Sequence, residues 1–287
     1  MKDFNTIVHR EFPGIITFAE ESTSWPGVTN PVHHGGLGFD YKWNMGWMND
    51  TLEYIEMTAD QRRDDPNKIT FPMMYNYSEN FVLPLSHDEV VHMKSPMVWK
   101  SSGNEEQQFA TLRLAYTYMY GHPGKKLLFM GDEFAETSEW AEDRALHWYL
   151  MDHDRHQGMK NLVDQLNTLY QNEPAMHEFD READGFEWIE LGDRTPSVFV
   201  FLRKAEDPSN HLLFILNFSD QELLSYKVGP FEGVQYRTIF NSESEFYGGD
   251  NNGGHHGTME QQHIWLNPFS GMILKPDAQI SGDEPYL

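Results

Sequence analysis

Two grammars of apolar and polar positions follow one another along this chain. In the first, helical spacings take turns with short unbroken apolar runs. Phe4, Ile7, Val8 and Phe12 fall on one face of a helix that Pro13-Gly14 ends. Residues 15–19 (IITFA) then read as a buried strand that stops in Glu20-Glu21, and residues 37–43 (LGFDYKW) as the next short strand. Met48, Leu52 and Ile55 are spaced by four and three, which predicts a helix starting near Asn44. Residues 60–67 read as a charged connector, and residues 71–77 as an aromatic-rich stretch. Residues 81–86 (FVLPLS) are apolar until the last position and predict a strand buried on both faces. Phe109, Leu112, Tyr116 and Met119 mark a helix ended by Gly121 and Pro123. Residues 125–130 (KKLLFM) are another apolar run, and Leu162, Val163, Leu166, Leu169 and Tyr170 mark a last helix that stops before Pro174.

From about Glu173 the helical period disappears. Residues 186–191 and 198–202 bracket a Gly192-Asp193 turn, a hairpin signal, and short strands follow at 212–218, 226–228, 236–240, 264–266 and 271–274. The pattern therefore predicts an α/β part over residues 1–174 and an all-β part over residues 175–287, the latter an antiparallel β-sandwich. In the α/β part, three of four strands end in carboxylates: Glu20, Asp88 and Asp132-Glu133. Parallel strands joined by helices bring their C-terminal ends to one rim, so these acids are expected to converge there.

Composition narrows the function classes. Of 287 residues, 39% are hydrophobic and 14% aromatic, enough for a packed core. The net charge of -24 argues against nucleic acid and anionic membranes as partners. No cysteine is present, so disulfides and thiolate chemistry are excluded and a cytoplasmic setting is expected. No run approaches the roughly 20 apolar residues of a membrane span. The N-terminal residues lack a signal-like apolar core.

Metal chemistry finds little support. His33-His34 lie in a Gly-rich loop with no partner at ligand spacing, and residues 248–257 lack the acidic spacing of a calcium loop. His87-Asp88-Glu89-Val90-Val91-His92 has its histidines five apart, where a zinc protease helix needs four. No metal and no cofactor are expected. Carboxylates converging without metal ligands point instead to glycoside chemistry, in which one acid protonates the leaving oxygen and another carboxylate attacks or stabilises the sugar. Trp25, Tyr41, Trp43, Tyr75 and Tyr77, near the same strand ends, are candidates for stacking on sugar faces.

Four long strings carry a specific resemblance: AEEST (19–23), GGLGFDYKWNMGWMNDTLEY (35–54), ENFVLPLSHDEVVH (79–92) and PGKKLLFMGDEFAE (123–136). With them the chain resembles 1,4-α-glucan branching enzymes of the α-amylase superfamily, over essentially its whole length. The resemblance implies a (β/α)8 TIM barrel followed by an all-β domain. It implies that Glu20 is the general acid/base at the end of the fifth barrel strand, with Glu21 the competing neighbour. Asp88 matches the carboxylate that stabilises the transition state, and His87 its hydrogen-bonding neighbour on the sugar. Tyr41 and Trp43 are taken as substrate-binding residues. An α-1,4-glucan such as glycogen or amylose is the implied substrate.

The departures from the family matter as much. Its nucleophilic aspartate lies in a motif of the type GFRVDAV, and no such motif occurs here. The chain is accordingly expected to begin in the helix before the fifth strand and to represent the C-terminal half of the enzyme, strands five to eight, inactive alone unless a separate N-terminal half completes it. Met93 stands where the family has a glycine, which bears on local loop geometry. The alternatives are an α-amylase-like or debranching hydrolase, in which water replaces the glucan acceptor, and a non-catalytic glucan-binding half. Open parallel edges in such a half barrel are expected to make the free chain oligomeric or aggregation-prone.

Overall fold

Four short strands pair in parallel in chain order: β1 (Phe18–Ala19), β2 (Tyr41–Trp43), β3 (Phe81–Leu85) and β4 (Lys125–Leu128). They belong to a computed structural model that describes residues 1–193, 197–229, 231, 234–250 and 263–277. β3 is buried at all five positions, as its unbroken apolar run requires. Helix α1 (Lys2–Glu11) precedes β1, α2 (Met45–Glu56) follows β2, α5 (Glu105–Gly121) lies between β3 and β4, and α6 (Asp154–Asn172) follows β4. Local chemistry fixes the starts of two of them. The Asn44 side chain accepts from Trp47 N at 2.9 Å to cap α2, and Asn104 with Gln107 forms a capping box on α5.

The sheet edges depart from the sequence pattern. Residues 15–19 read as a buried strand, but only Phe18–Ala19 pairs, and Ile15, Ile16 and Phe18 are about half exposed. Among the described residues β1 has β2 as its one neighbour, and Phe4 and Ile7 of α1, with Phe12 just past its end, stand in the open. β4, at the opposite edge, is half-buried rather than buried. Of residues 37–43 only the last three join the sheet. The amides of Leu37, Gly38 and Phe39 donate instead to the carbonyls of Gly27, Asn30 and Val28.

The charged connector also proves to be folded. It holds α3 (Ala59–Asp64), opened by a Thr58–Gln61 capping box, and the single turn α4 (Asn67–Thr70). Arg62, fully buried, donates to the carbonyls of Tyr54 (3.0 Å), Ile55 (2.6 Å) and Phe218 (3.2 Å). It thereby closes the C-terminal end of α2 and ties it to the second half of the chain.

That second half is antiparallel. β5 (Phe186–Asp193), β6 (Val198–Lys204), β7 (His211–Asn217), β9 (Tyr236–Asn241) and β11 (Ser270–Pro276) form a five-stranded sheet in the order β5-β6-β7-β11-β9; β8 (Leu223–Lys227) and β10 (His263–Leu266) pair separately. The turn between β5 and β6 and most of the Gly-rich 248–257 stretch lie outside the described residues. Strand alternation sorts the inner strands into two cores. Phe199, Phe201, Phe214 and Ile273 join the core shared with α2 and α5, while Val198, Val200, Ile215 and Met272 meet Ile264 and Leu266 of β10. Both faces of this sheet are thus buried, which explains runs such as VFVFL and HLLFIL. Its contact with α5 is close enough to exclude a methyl group: a Cβ on Gly121 would stand 2.7 Å from the Phe214 ring, and one on Gly271 2.8 Å from Thr117.

Buried charges reinforce the same junction. Arg203 donates to Gly121 O (2.9 Å), Met176 O (3.1 Å) and Asp180 Oδ1 (3.0 Å). Asp180 also accepts from Tyr170 Oη at 2.6 Å and Lys125 Nζ at 3.0 Å. Arg113 of α5 pairs with Glu243 at 2.6 Å. Each ion is compensated by its partner in the core, which burial demands.

Candidate functional site

Two acids follow β1, and their surroundings differ. Glu20 is exposed, and no hydrogen bond or ion pair among the described residues engages its carboxylate. Glu21 turns toward Lys42 of β2, whose buried Nζ stands 2.7 Å from Glu21 Oε2 and donates to Thr23 O at 2.8 Å. Thr23 N donates to Glu21 Oε1 at 2.8 Å. Burial acts to raise the Glu21 carboxyl, but the hydrogen bonds from Lys42 and Thr23, with the lysine's charge, outweigh it and hold the group down at about 2. Glu21 is a fixed anion at neutral pH. Lys42 escaped the sequence reading, although a lysine inside a short apolar strand is itself a signal for a buried counter-ion.

A cleft of about 460 Å³ opens beside this pair. Its walls include Trp25, Trp43, Tyr75 and Phe81, with Glu21, Lys42 and Ser78 among its polar lining. Aromatic faces with a few fixed polar groups are what a sugar ring needs. Trp43 is therefore on the cleft wall. Tyr41 is not among the lining residues; its ring stacks on Phe18 at 5.4 Å.

His87 and Asp88 open a short helical turn (His87–Val90) directly after β3 and Ser86. His87 Nε2 lies 3.1 Å from Asp88 Oδ1, both side chains are a little under half exposed, and the imidazole sits 6.0 Å from the Phe129 ring. The strand register is staggered. Ala19 pairs with Lys42 and Lys42 with Phe81, so Glu20 lies level with Val82 while Asp88 lies three residues beyond Leu85.

The third acidic strand end is more buried than the other two. Gly131 turns the chain inward in a left-handed conformation (φ 95°), and Asp132 is buried over α5, where its carbonyl accepts from Tyr116 Oη at 2.9 Å. Burial, with the neighbouring Glu133 charge, pushes the Asp132 carboxyl well up. Glu133 folds back so that Oε2 accepts from Gly131 N at 2.8 Å. These two acids shape a turn and leave Glu20 and Asp88 as the open carboxylates. The His33 and His34 rings meet edge to face at 4.3 Å. No group of three or more His, Asp or Glu side chains suited to a metal gathers among the described residues.

Comparison with known proteins decides the family. The chain is 46% identical over 285 residues to the 1,4-alpha-glucan branching enzyme GlgB of Cellvibrio japonicus, a match that covers 96% of this chain and 38% of the relative. It is 46% identical to the GlgB of Halothermothrix orenii, covering 96% of this chain and 44% of the relative. The chain belongs to the 1,4-alpha-glucan branching enzyme family. It spans less than half the length of these relatives. Residues 188–277 match the alpha amylase C-terminal all-beta domain, in agreement with the antiparallel sheets. A pullulanase from Paenibacillus barengoltzii, crystallised with maltohexaose and alpha-cyclodextrin, shares the fold with a TM-score of 0.65 at 16% identity, over 96% of this chain and 46% of that one. Among the described residues no helix is long and apolar enough to cross a membrane.

Proposed function

We propose that this chain supplies strands five to eight of a (β/α)8 barrel (residues 1–174) and a C-terminal β-sandwich domain (residues 175–287) to a cytoplasmic branching enzyme acting on α-1,4-glucan. The staggered parallel register supports the barrel reading, because closing a barrel requires such a shear. Glu20 is the general acid/base. It protonates the oxygen of the departing glucan, then takes the proton of the incoming 6-hydroxyl as the α-1,6 bond forms. Asp88 holds negative charge against the sugar as positive charge develops on it, and His87, paired with Asp88, contacts the sugar hydroxyls. Trp43 offers a stacking face in the adjoining cleft. The covalent step needs a nucleophilic carboxylate from a segment other than this one, so the chain alone performs no transfer.

The observation that carries the assignment is the Lys42–Glu21 ion pair. Lys42 and the Thr23 amide engage both Glu21 oxygens, whereas the exposed Glu20 carboxylate has no protein partner among the described residues and is open to a glycosidic oxygen. The test is reconstitution with the remaining N-terminal length of a GlgB relative, followed by iodine colour and new α-1,6 linkages on amylose. Branching is expected from the pair, and a loss of at least about 100-fold with Glu20→Gln. Retention of branching by Glu20→Gln, or transfer by the chain alone, overturns the assignment; release of reducing ends without branches identifies a hydrolase.

A further inference from the structure

The loop after β3 is the most strained segment of the described chain. His92 (φ 57°), Met93 (φ 66°) and Ser95 (φ 67°) all adopt left-handed backbone without being glycine, three such residues within four positions. Nothing in their side chains accounts for this: Met93 is 94% exposed. The compensation comes from the loop after β4. Glu139 presents one carboxylate to two backbone amides, accepting from Met93 N at 3.0 Å through Oε2 and from Ser95 N at 2.9 Å through Oε1. Those amides point at one spot because the residues that carry them are left-handed, the geometry of an anion-binding nest. Further bonds tie the same two loops together: Trp140 N donates to Val90 O at 2.9 Å, and Trp99 Nε1 to Thr137 O at 3.1 Å. The strained segment begins two residues after the turn that carries His87 and Asp88.

We propose that Glu139 is a positioning residue: by accepting from both amides it holds His92, Met93 and Ser95 in their left-handed form and so fixes the His87–Asp88 turn against the sugar. The two amide bonds also stabilise the charged form of the carboxylate, drawing Glu139 below the usual range, with Ser95 the larger contributor and Met93 next. Aspartate would be too short to reach both amides, and glutamine would turn an N–H₂ donor against one of them. Glycine at 93 and 95 would need no clamp, since it takes the left-handed form without strain. The functional part of this inference rests on the role proposed above for Asp88; the structural part does not.

The experiment is amide hydrogen exchange by NMR on the full chain and on its Glu139, Met93 and Ser95 variants. Glu139→Gln is expected to speed exchange at Met93 and Ser95 and, through the turn, at Glu89, whose amide donates to Ser86 O at 3.2 Å, each by tenfold or more. Amides of β6 and β7 should be unchanged. Adding Met93→Gly and Ser95→Gly to Glu139→Gln should restore protection at Glu89. An unchanged Glu89 amide in Glu139→Gln, or no recovery with the two glycines, overturns the proposal. Should Glu139→Gln unfold the chain, the Met93→Gly and Ser95→Gly double variant decides, because its Glu89 amide must then tolerate Glu139→Asp with less than a threefold change. Failure of Asp88→Asn to alter maltoheptaose binding, with these exchange patterns as expected, would count against the sugar-site reading and leave the clamp standing.

Discussion

Lys42 reaches back from β2 to place its Nζ 2.7 Å from Glu21 Oε2, and that contact gives two adjacent glutamates different surroundings, one ion-paired and one open to solvent. The pair also makes a statement about stability. Glu21 has its folded value depressed to about 2 from an ordinary 4.5, so its contribution is present above pH 4.5 and is lost as pH falls toward 2. Its side chain retains some solvent contact, and screening reduces the contribution to about 1 kcal/mol. Glu21→Gln should therefore lower unfolding free energy by about 1 kcal/mol at pH 7 and by nothing measurable at pH 2. Urea titrations at both pH values check this; an equal loss at the two would mean that packing, not charge, is responsible.

Met93 offers the opposite sign. A left-handed conformation costs a non-glycine residue about 1 kcal/mol, and this side chain has no packing to lose. Met93→Gly should raise stability by up to about 0.5 kcal/mol, part of the strain relief being offset by the greater freedom of glycine when unfolded. A lower denaturation midpoint for the variant would show that the strain estimate has the wrong sign.

Arg203 joins the two halves of the chain through Asp180 and the carbonyls at the ends of α5 and of the turn at Pro174–Met176. Removing it takes the donor from the buried Gly121 and Met176 carbonyls and leaves the nearly dry Asp180 carboxylate with only Lys125 and Tyr170. Arg203→Met should cost about 3 to 5 kcal/mol. Differential scanning calorimetry should show one broadened or divided transition in place of a single one, because the junction that couples parallel and antiparallel sheets is weakened. A loss under 1 kcal/mol would mean that water reaches Asp180 readily.

How much of this was legible in the sequence depends on where each residue's partner lies. β3 and α5 could be read directly, because a segment buried on all sides carries its environment in its own composition. The edge strands β1 and β4 read as more buried than they are, since an apolar run does not say whether a neighbour covers it. Arg62 and α3, the helix that carries it, were hidden, because its farthest acceptor, Phe218 O, lies 156 residues away. Strand ends pointed to Glu20 and Asp88 as candidate carboxylates, while the roles proposed for them, and the choice of His87, come from the motif strings. Glu139 carries no local signal at all: the amides it holds lie 44 and 46 residues earlier.

The outer edge of the parallel sheet has a consequence in solution. Phe4, Ile7, Phe12, Ile15, Ile16 and Phe18 are all about half exposed along α1 and β1, beside a strand with one unpaired side. Such a combination of open edge and apolar surface favours self-association. Sedimentation at increasing concentration should show the chain associating, and the Ile7→Lys, Ile16→Lys double variant shifting it toward monomer. A wild-type chain that stays monomeric at about 100 μM would show that the net charge of -24 overrides the edge.

The cleft gives the most direct test of glucan recognition, because two aromatics proposed as ligands from sequence now have different surroundings. Trp43 lines the cleft with Trp25, whereas Tyr41 is engaged with Phe18. Trp25 is 62% exposed, so its removal should not disturb the core. A stacking contact with a sugar ring is worth about 1 kcal/mol or somewhat more, which corresponds to a loss of about five- to tenfold in affinity. In native gels containing glycogen, Trp25→Ala and Trp43→Ala should migrate with less retardation than the parent chain, and Tyr41→Ala should match it. Thermal melts of the three variants separate lost binding from lost folding. Equal retardation of all four proteins would remove the cleft from the binding surface, and a loss confined to Tyr41→Ala would move recognition to the exposed face of β1.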